Sequence, residues 1–229
     1  MAGFSKLQVL NAINENGIVP VFYHHEVNVC KEILKTVYDG GIRIFEFTNR
    51  GDNAHKVFEE LVNFAKETLP DLILGIGSVI DAGTASLYIQ SGANFIVAPI
   101  VNQEVASTCN RRKIPWMPGC GSLTEINYAE SLGADIVKIF PAQQVGGPEF
   151  IKAVKGPCPW SNIMPTGGVQ PEEENLKEWF SAGAHCVGLG SQLFVKNKEG
   201  HFDLEEIKRA AKLSVEAFKK YKKWAKSNI

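Results

Sequence analysis

Gly133-Ala134-Asp135-Ile136-Val137-Lys138-Ile139-Phe140-Pro141 carries the pattern from which the fold of this 229-residue chain is read: a pair of small residues, then a short apolar run that ends at a turn former. Glycine is favoured where a helix stops in a left-handed conformation, so such a pair marks a turn from helix into strand. The same device precedes apolar runs at Gly40-Gly41, Gly92-Ala93 and Gly183-Ala184. Working outward, strands are expected at 18–23, 42–48, 72–78, 95–100, 114–118, 136–141, 162–166 and 186–190. Amphipathic stretches lie between them, such as 53–68 with Val57, Phe58, Leu61, Val62 and Phe64-Ala65 at roughly helical spacing. Strand and helix alternating without a long Pro/Gly/Ser linker favours a single (β/α)8 TIM barrel over an open doubly wound sheet. The expected α/β domain spans 1–229. It carries an extra N-terminal helix within 1–16, helical from residue 5, and a last helix over 203–229 with Leu204, Ile207, Ala211, Phe218, Tyr221 and Trp224 near one face.

Composition narrows the function classes. A formal net charge of −1 provides no general field for nucleic acid or an anionic membrane, so an anionic substrate must be held by local groups. The first ten residues lack a secretory pattern and no apolar run approaches the roughly 20 residues that span a bilayer, so a cytoplasmic enzyme is expected. Five scattered cysteines without a Cys-x-x-Cys pair suggest reduced thiols rather than a disulfide framework or zinc site. Lys219, Lys220, Lys222 and Lys223 read as a solvated helix face rather than a docking patch.

Barrel chemistry sits at the C-terminal strand ends. In 136–141 a lysine interrupts an apolar run, and strand alternation that turns Val137 and Ile139 towards the helices turns Lys138 and Phe140 inward. A buried ammonium must pair with a carboxylate or lose its proton. A desolvated lysine with a lowered pKa could attack a carbonyl as a free amine; a structural ion pair is the other reading. In 44–50, Glu46, Thr48 and Arg50 recur at spacing two, so they share a side. Glu46 is deepest and able to relay protons, while Arg50 near the mouth is suited to a carboxylate through its planar guanidinium. Pro165-Thr166-Gly167-Gly168 and Gly188-Leu189-Gly190-Ser191 follow the seventh and eighth strands, where barrels commonly hold phosphate. Gly75-Ile76-Gly77-Ser78 lacks the full dinucleotide fingerprint and is read as a backbone and Ser78 contact to substrate. His24-His25-Glu26 resembles a metal cluster, but adjacent residues on an extended segment point to opposite sides, and no further histidine stands at ligand spacing. No metal is expected.

Across 18–194 the chain resembles the 2-keto-3-deoxy-6-phosphogluconate (KDPG) and 4-hydroxy-2-oxoglutarate (KHG) aldolase family. The resemblance rests on Gly17-Ile18-Val19-Pro20-Val21, Glu46-Phe47-Thr48-Asn49-Arg50, Gly75-Ile76-Gly77-Ser78-Val79, Lys138-Ile139-Phe140-Pro141-Ala142 and Met164-Pro165-Thr166-Gly167-Gly168-Val169, in that order. It implies a class I aldolase with Lys138 as the Schiff-base lysine and Glu46 as the general acid/base. It further implies Arg50 and Ser78 at the keto-acid carboxylate, Phe140 beside the imine, and Gly167, Gly168 and Ser191 at a phosphate. Thr48, Pro99, Thr166 and Gly190 complete the expected substrate-binding set. The expected reaction is reversible cleavage of a 2-keto acid to pyruvate and an aldehyde, without cofactor, in a homotrimer. Departures from the family pattern lie near the mouth: Ser78 where threonine is usual, Ala98-Pro99-Ile100-Val101 after the fourth strand, and Gly121-Ser122-Leu123-Thr124-Glu125 after the fifth. Ser78 keeps the hydroxyl, while the other two changes bear on the distal part of the substrate. The alternatives are an aldolase for another 2-keto-3-deoxy sugar acid, a phosphosugar isomerase or epimerase, and a non-catalytic barrel that senses a sugar acid.

Overall fold

A computed structural model describes residues 3–227; of the expected terminal helices, residues 1–2 and 228–229 lie outside the described residues. Parallel strands alternate with helices along the chain. The strands are β1 (Ile18–Phe22), β2 (Ile44–Thr48), β3 (Ile73–Gly77), β4 (Ile96–Val97), β5 (Trp116–Met117), β6 (Gly119–Cys120), β7 (Val137–Ile139), β8 (Ile163–Pro165) and β9 (Val187–Leu189). The helices are α1 (Lys6–Asn16), α2 (Val27–Asp39), α3 (Ala54–Thr68), α4 (Ala82–Gln90), α5 (Gln103–Arg112), α6 (Leu123–Ser131), α7 (Gly147–Lys155), α8 (Glu173–Ser181) and α9 (Leu204–Ser227). The small-residue pairs behave as their composition requires: Gly41, Gly92, Gly133 and Gly183 have φ of 95°, 105°, 89° and 104°, the left-handed region that glycine adopts without steric cost.

The strands form a curled six-stranded sheet in the order β5-β4-β3-β2-β1-β9 and a three-stranded sheet in the order β6-β7-β8. Here the expected strand boundaries need correction. The fifth run continues past Pro118 and divides there, with Trp116 and Met117 pairing to β4 and Gly119 and Cys120 pairing to β7. Proline has no N–H to give to a ladder. Gly119 permits a close crossing, since a Cβ at that position would lie 2.3 Å from the Pro99 carbonyl oxygen. The fourth strand shrinks from the expected 95–100 to Ile96–Val97. At the opposite edge, a single parallel bridge joins Thr166 to Gly188.

Two apolar cores follow from side-chain alternation. Val19, Ile44, Ile73, Val97, Met117 and Met164 face the space between the sheets and meet Val9 and Ile13 of α1, which cap one end. Phe45, Phe47, Leu74, Ile76, Val137 and Ile139 point the other way, into the layer beneath the helices. α1 is fixed by a capping box in which Ser5 accepts from the Gln8 N–H and Gln8 reaches back to the Ser5 N–H. In α9, Ile207, Ala211 and Phe218 are buried as expected, whereas Trp224 is 59% exposed, its ring tilted against Tyr221 with centroids 5.9 Å apart. Its lysines are partly used: Lys220 pairs with Glu173 of α8, and Lys222 donates to the Asn14 carbonyl of α1.

Candidate active site

Lys138 and Glu46 come from different sheets and meet. Lys138 is at the centre of β7 and Glu46 at the centre of β2; they are 6% and 1% exposed, and Lys138 Nζ lies 3.5 Å from Glu46 Oε1. Two side chains from facing sheets reach this distance only if both point into the enclosed space, as strand alternation requires. The interior has room for Glu46 because its neighbour is glycine: a Cβ on Gly77 would fall 1.9 Å from Glu46 Oε1. Burial pushes the Glu46 carboxyl above the ordinary carboxylate range, and the charges of Lys138 and Arg50 pull it only part of the way back. A carboxyl so held can give and take a proton closer to neutrality than a solvated one.

Phe140 leaves the strand at the mouth, 39% exposed, with Lys138 Nζ 5.4 Å from its ring centroid. One wall of the lysine is therefore aromatic. Thr48 sits one alternation above Glu46, 1% exposed, and Arg50 follows at the exposed rim, close enough for its charge to act on Glu46. Thr166, at the end of β8, is 6% exposed, and the absent side chain of Gly188 makes way for it: a Cβ there would lie 2.2 Å from Thr166 Oγ1. Gly167 and Gly168 have φ of 99° and 84°, a backbone course that turns amides away from the ladder. Gly190 has open space where a side chain would be, and Ser191 beside it is exposed. Ser78 and Pro99, both partly buried, follow β3 and β4 on the same rim; Ser78 has φ 61°, a strained value for a non-glycine residue.

Buried polar atoms lacking a partner mark where a ligand would be welcome. Glu46 Oε2, Thr48 Oγ1 and Thr166 Oγ1 are three such atoms, all facing the enclosed space. The others among the described residues, Trp116 Nε1, Trp179 Nε1 and Ser161 Oγ, belong to the outer layer or to the strand-start end. Leaving a buried polar atom unpaired costs about 1–3 kcal/mol, so three on the inner face of the strands favour a polar guest.

Two site-lining residues escaped the sequence reading. Val21 of β1 is in register with Glu46 and is buried without joining either apolar core. Its spacing of two from Val19 was the available signal. Gln143 packs over Gly168, where a Cβ would come 2.5 Å from Gln143 Cβ and 2.9 Å from its Oε1. Nothing in its residue type announces that position. The histidines are a correction: His24 and His25 do not diverge but stack, with centroids 4.6 Å apart, because β1 ends at Phe22 and the chain bends at His25. Among the described residues no group of three or more His, Cys, Asp or Glu could hold a metal ion. The cysteines are free, and burial pushes the Cys30, Cys109 and Cys120 thiols up to about 12, away from nucleophilic use.

The profile of the KDPG and KHG aldolases matches residues 9–210. The chain is 30% identical over 211 residues to a 2-dehydro-3-deoxy-phosphogluconate aldolase of Pseudoalteromonas atlantica, covering 92% of this chain and 95% of that one. It is 29% identical over 195 residues to the Haemophilus influenzae enzyme of the same name, covering 85% and 89% respectively. Among solved structures it superposes with TM-score 0.73 at 28% identity on KDPG aldolase from Legionella pneumophila, crystallised with pyruvate captured at low pH as a covalent carbinolamine, over 90% of this chain and 94% of that one. An α/β fold with a curled parallel sheet, a buried lysine–glutamate pair and a profile match over most of its length place this chain in the KDPG and KHG aldolase family.

Proposed function

We propose that this chain is a class I aldolase that cleaves KDPG, 4-hydroxy-2-oxoglutarate or both, reversibly, to pyruvate and an aldehyde. The aldehyde is glyceraldehyde 3-phosphate from the first substrate and glyoxylate from the second. The observation that carries the reading is the buried Lys138–Glu46 pair at 3.5 Å. Lys138 gives a proton to Glu46, and its free amine adds to the C2 ketone. Glu46 returns protons to the carbinolamine oxygen as water leaves, and the protonated imine remains. That cation draws electrons: Glu46, again ionised, takes the C4 hydroxyl proton as the C3–C4 bond breaks, releasing the aldehyde and leaving the enamine of pyruvate. Protonation at C3 and addition of water then free pyruvate and restore the amine.

In this reading Arg50 and Ser78 hold the keto-acid carboxylate, Phe140 and Pro99 shape the walls about the imine, and Thr48 and Thr166 hydrogen-bond oxygens near C2. Gly167, Gly168, Gly190 and Ser191 cradle the distal end, by phosphate where there is one. The finer architecture belongs to the same proposal: one domain, closed as a (β/α)8 barrel. It is supported by the continuity of 116–120 across Pro118 and by the Thr166–Gly188 bridge beside the 2.8 Å bond from the His185 N–H to the Ile163 carbonyl. A homotrimer, as the family resemblance implies, placed in the cytoplasm, completes it. The test is pyruvate release from KDPG and from 4-hydroxy-2-oxoglutarate. Lys138→Ala should lose on the order of 10⁴-fold or more in kcat on whichever is cleaved; unchanged turnover by this variant would refute the proposal.

A further inference from the structure

Arg50 stands outside the β2 ladder, which stops at Thr48, yet it has to hold a carboxylate at a fixed distance from Lys138. A long side chain on a strand exit is entropically free, and freedom there is paid for in binding. The three-residue segment Asn49-Arg50-Gly51 is held on both flanks by tyrosines from other elements. On one side, Tyr88 of α4 is 1% exposed and its hydroxyl donates to Asn49 Oδ1 at 2.8 Å. On the other, the Tyr23 hydroxyl rests against Gly51, where a Cβ would lie 1.8 Å from Tyr23 Oη. Any side chain at position 51 would expel that hydroxyl. The backbone is tied as well, from the Asn49 N–H to the Gly77 carbonyl at 2.9 Å and from the Arg50 N–H to the Thr48 carbonyl at 3.0 Å.

We infer that Tyr88, through Asn49, and Tyr23, over Gly51, are positioning residues that set the place of Arg50 and so give the enzyme its affinity for keto acids over plain ketones. The inference rests on the reading of Arg50 as the carboxylate ligand. The role assigned to each tyrosine is to place Arg50, not to bind substrate. Burial supports the donor role: it pushes the Tyr88 hydroxyl up to about 12, so the proton is retained across the working range. A purely structural tyrosine, in contrast, would affect all ketones alike.

The experiment follows exchange of methyl protons in D2O by NMR, with pyruvate and with acetone, which has the ketone and lacks the carboxylate. For Tyr88→Phe, and separately for Asn49→Ala should the first fold poorly, KM for pyruvate should rise about tenfold, the factor equivalent to one lost hydrogen bond. The maximal exchange rate should hold, and acetone exchange should match that of the unsubstituted enzyme. In an Arg50→Gln background, Tyr88→Phe should add nothing. An unchanged KM for pyruvate, or an equal loss with both ketones, would overturn the positioning role. Additive losses with Arg50→Gln would do so too. If the unsubstituted enzyme exchanged neither ketone, the imine reading itself would fail and take this inference with it.

Discussion

Glu46 is costly to bury as an anion and Lys138 as a cation, and each lowers the cost of the other. For Glu46 the balance is still on the side of burial, so its folded pKa lies above the ordinary value of 4.5. Folding therefore takes up a proton at this site when the pH is between the two values. The stability Glu46 contributes is complete below the ordinary value and is lost as pH rises through the raised one. Glu46→Gln removes this dependence. Melting temperatures across pH should show the unsubstituted protein declining relative to the variant as pH rises from the ordinary carboxylate range, then running parallel; a constant difference would contradict the account. The same variant should turn over about 10²- to 10⁴-fold more slowly, the usual contribution of a general acid–base group.

Single elements owe their exact placement to what their neighbours lack. β3 presents Gly75 and Gly77 to the interior, where Phe95 and Glu46 occupy the space of the missing side chains. Gly77→Ala should displace the glutamate side chain, since the new methyl group would sit 1.9 Å from its present oxygen and 2.9 Å from its Cγ. We expect a loss of about 1–3 kcal/mol in unfolding free energy, as for other overpacked interiors, with a drop in kcat towards that of Glu46→Gln. Denaturant titration and pyruvate release measure both, and near-normal turnover would show that Glu46 needs no fixed place. At this scale the sequence was legible where strands are buried on both sides, because such strands read as near-continuous apolar runs, as at 72–76, or as one broken by a single charged residue, as at 136–139. It was least legible at 95–100 and 114–120. There Pro99 and Pro118 have no N–H to give to a ladder, and 116–120 changes its partner from β4 to β7 at Pro118.

For the whole molecule, stability and chemistry occupy opposite ends of the same enclosed space. Val9 and Ile13 of α1 cap the apolar end, while Lys138, Glu46, Thr48 and Thr166 gather towards the strand exits. The residues that announced the site were those whose type conflicts with their surroundings: a lysine and a glutamate inside apolar runs, and glycine pairs just past strand ends. Gln143, Tyr23 and Tyr88 carry no such conflict, so only the three-dimensional arrangement connects them to the site. The claim on which all of this depends is that the Lys138 amine becomes covalently bonded to substrate. Borohydride reduction in the presence of pyruvate, followed by peptide mass spectrometry, tests it directly. The account predicts one pyruvate-derived adduct per chain, on Lys138, and none in Lys138→Ala. A protein that cleaves its substrate yet yields no adduct, or is labelled at a different lysine, would contradict it.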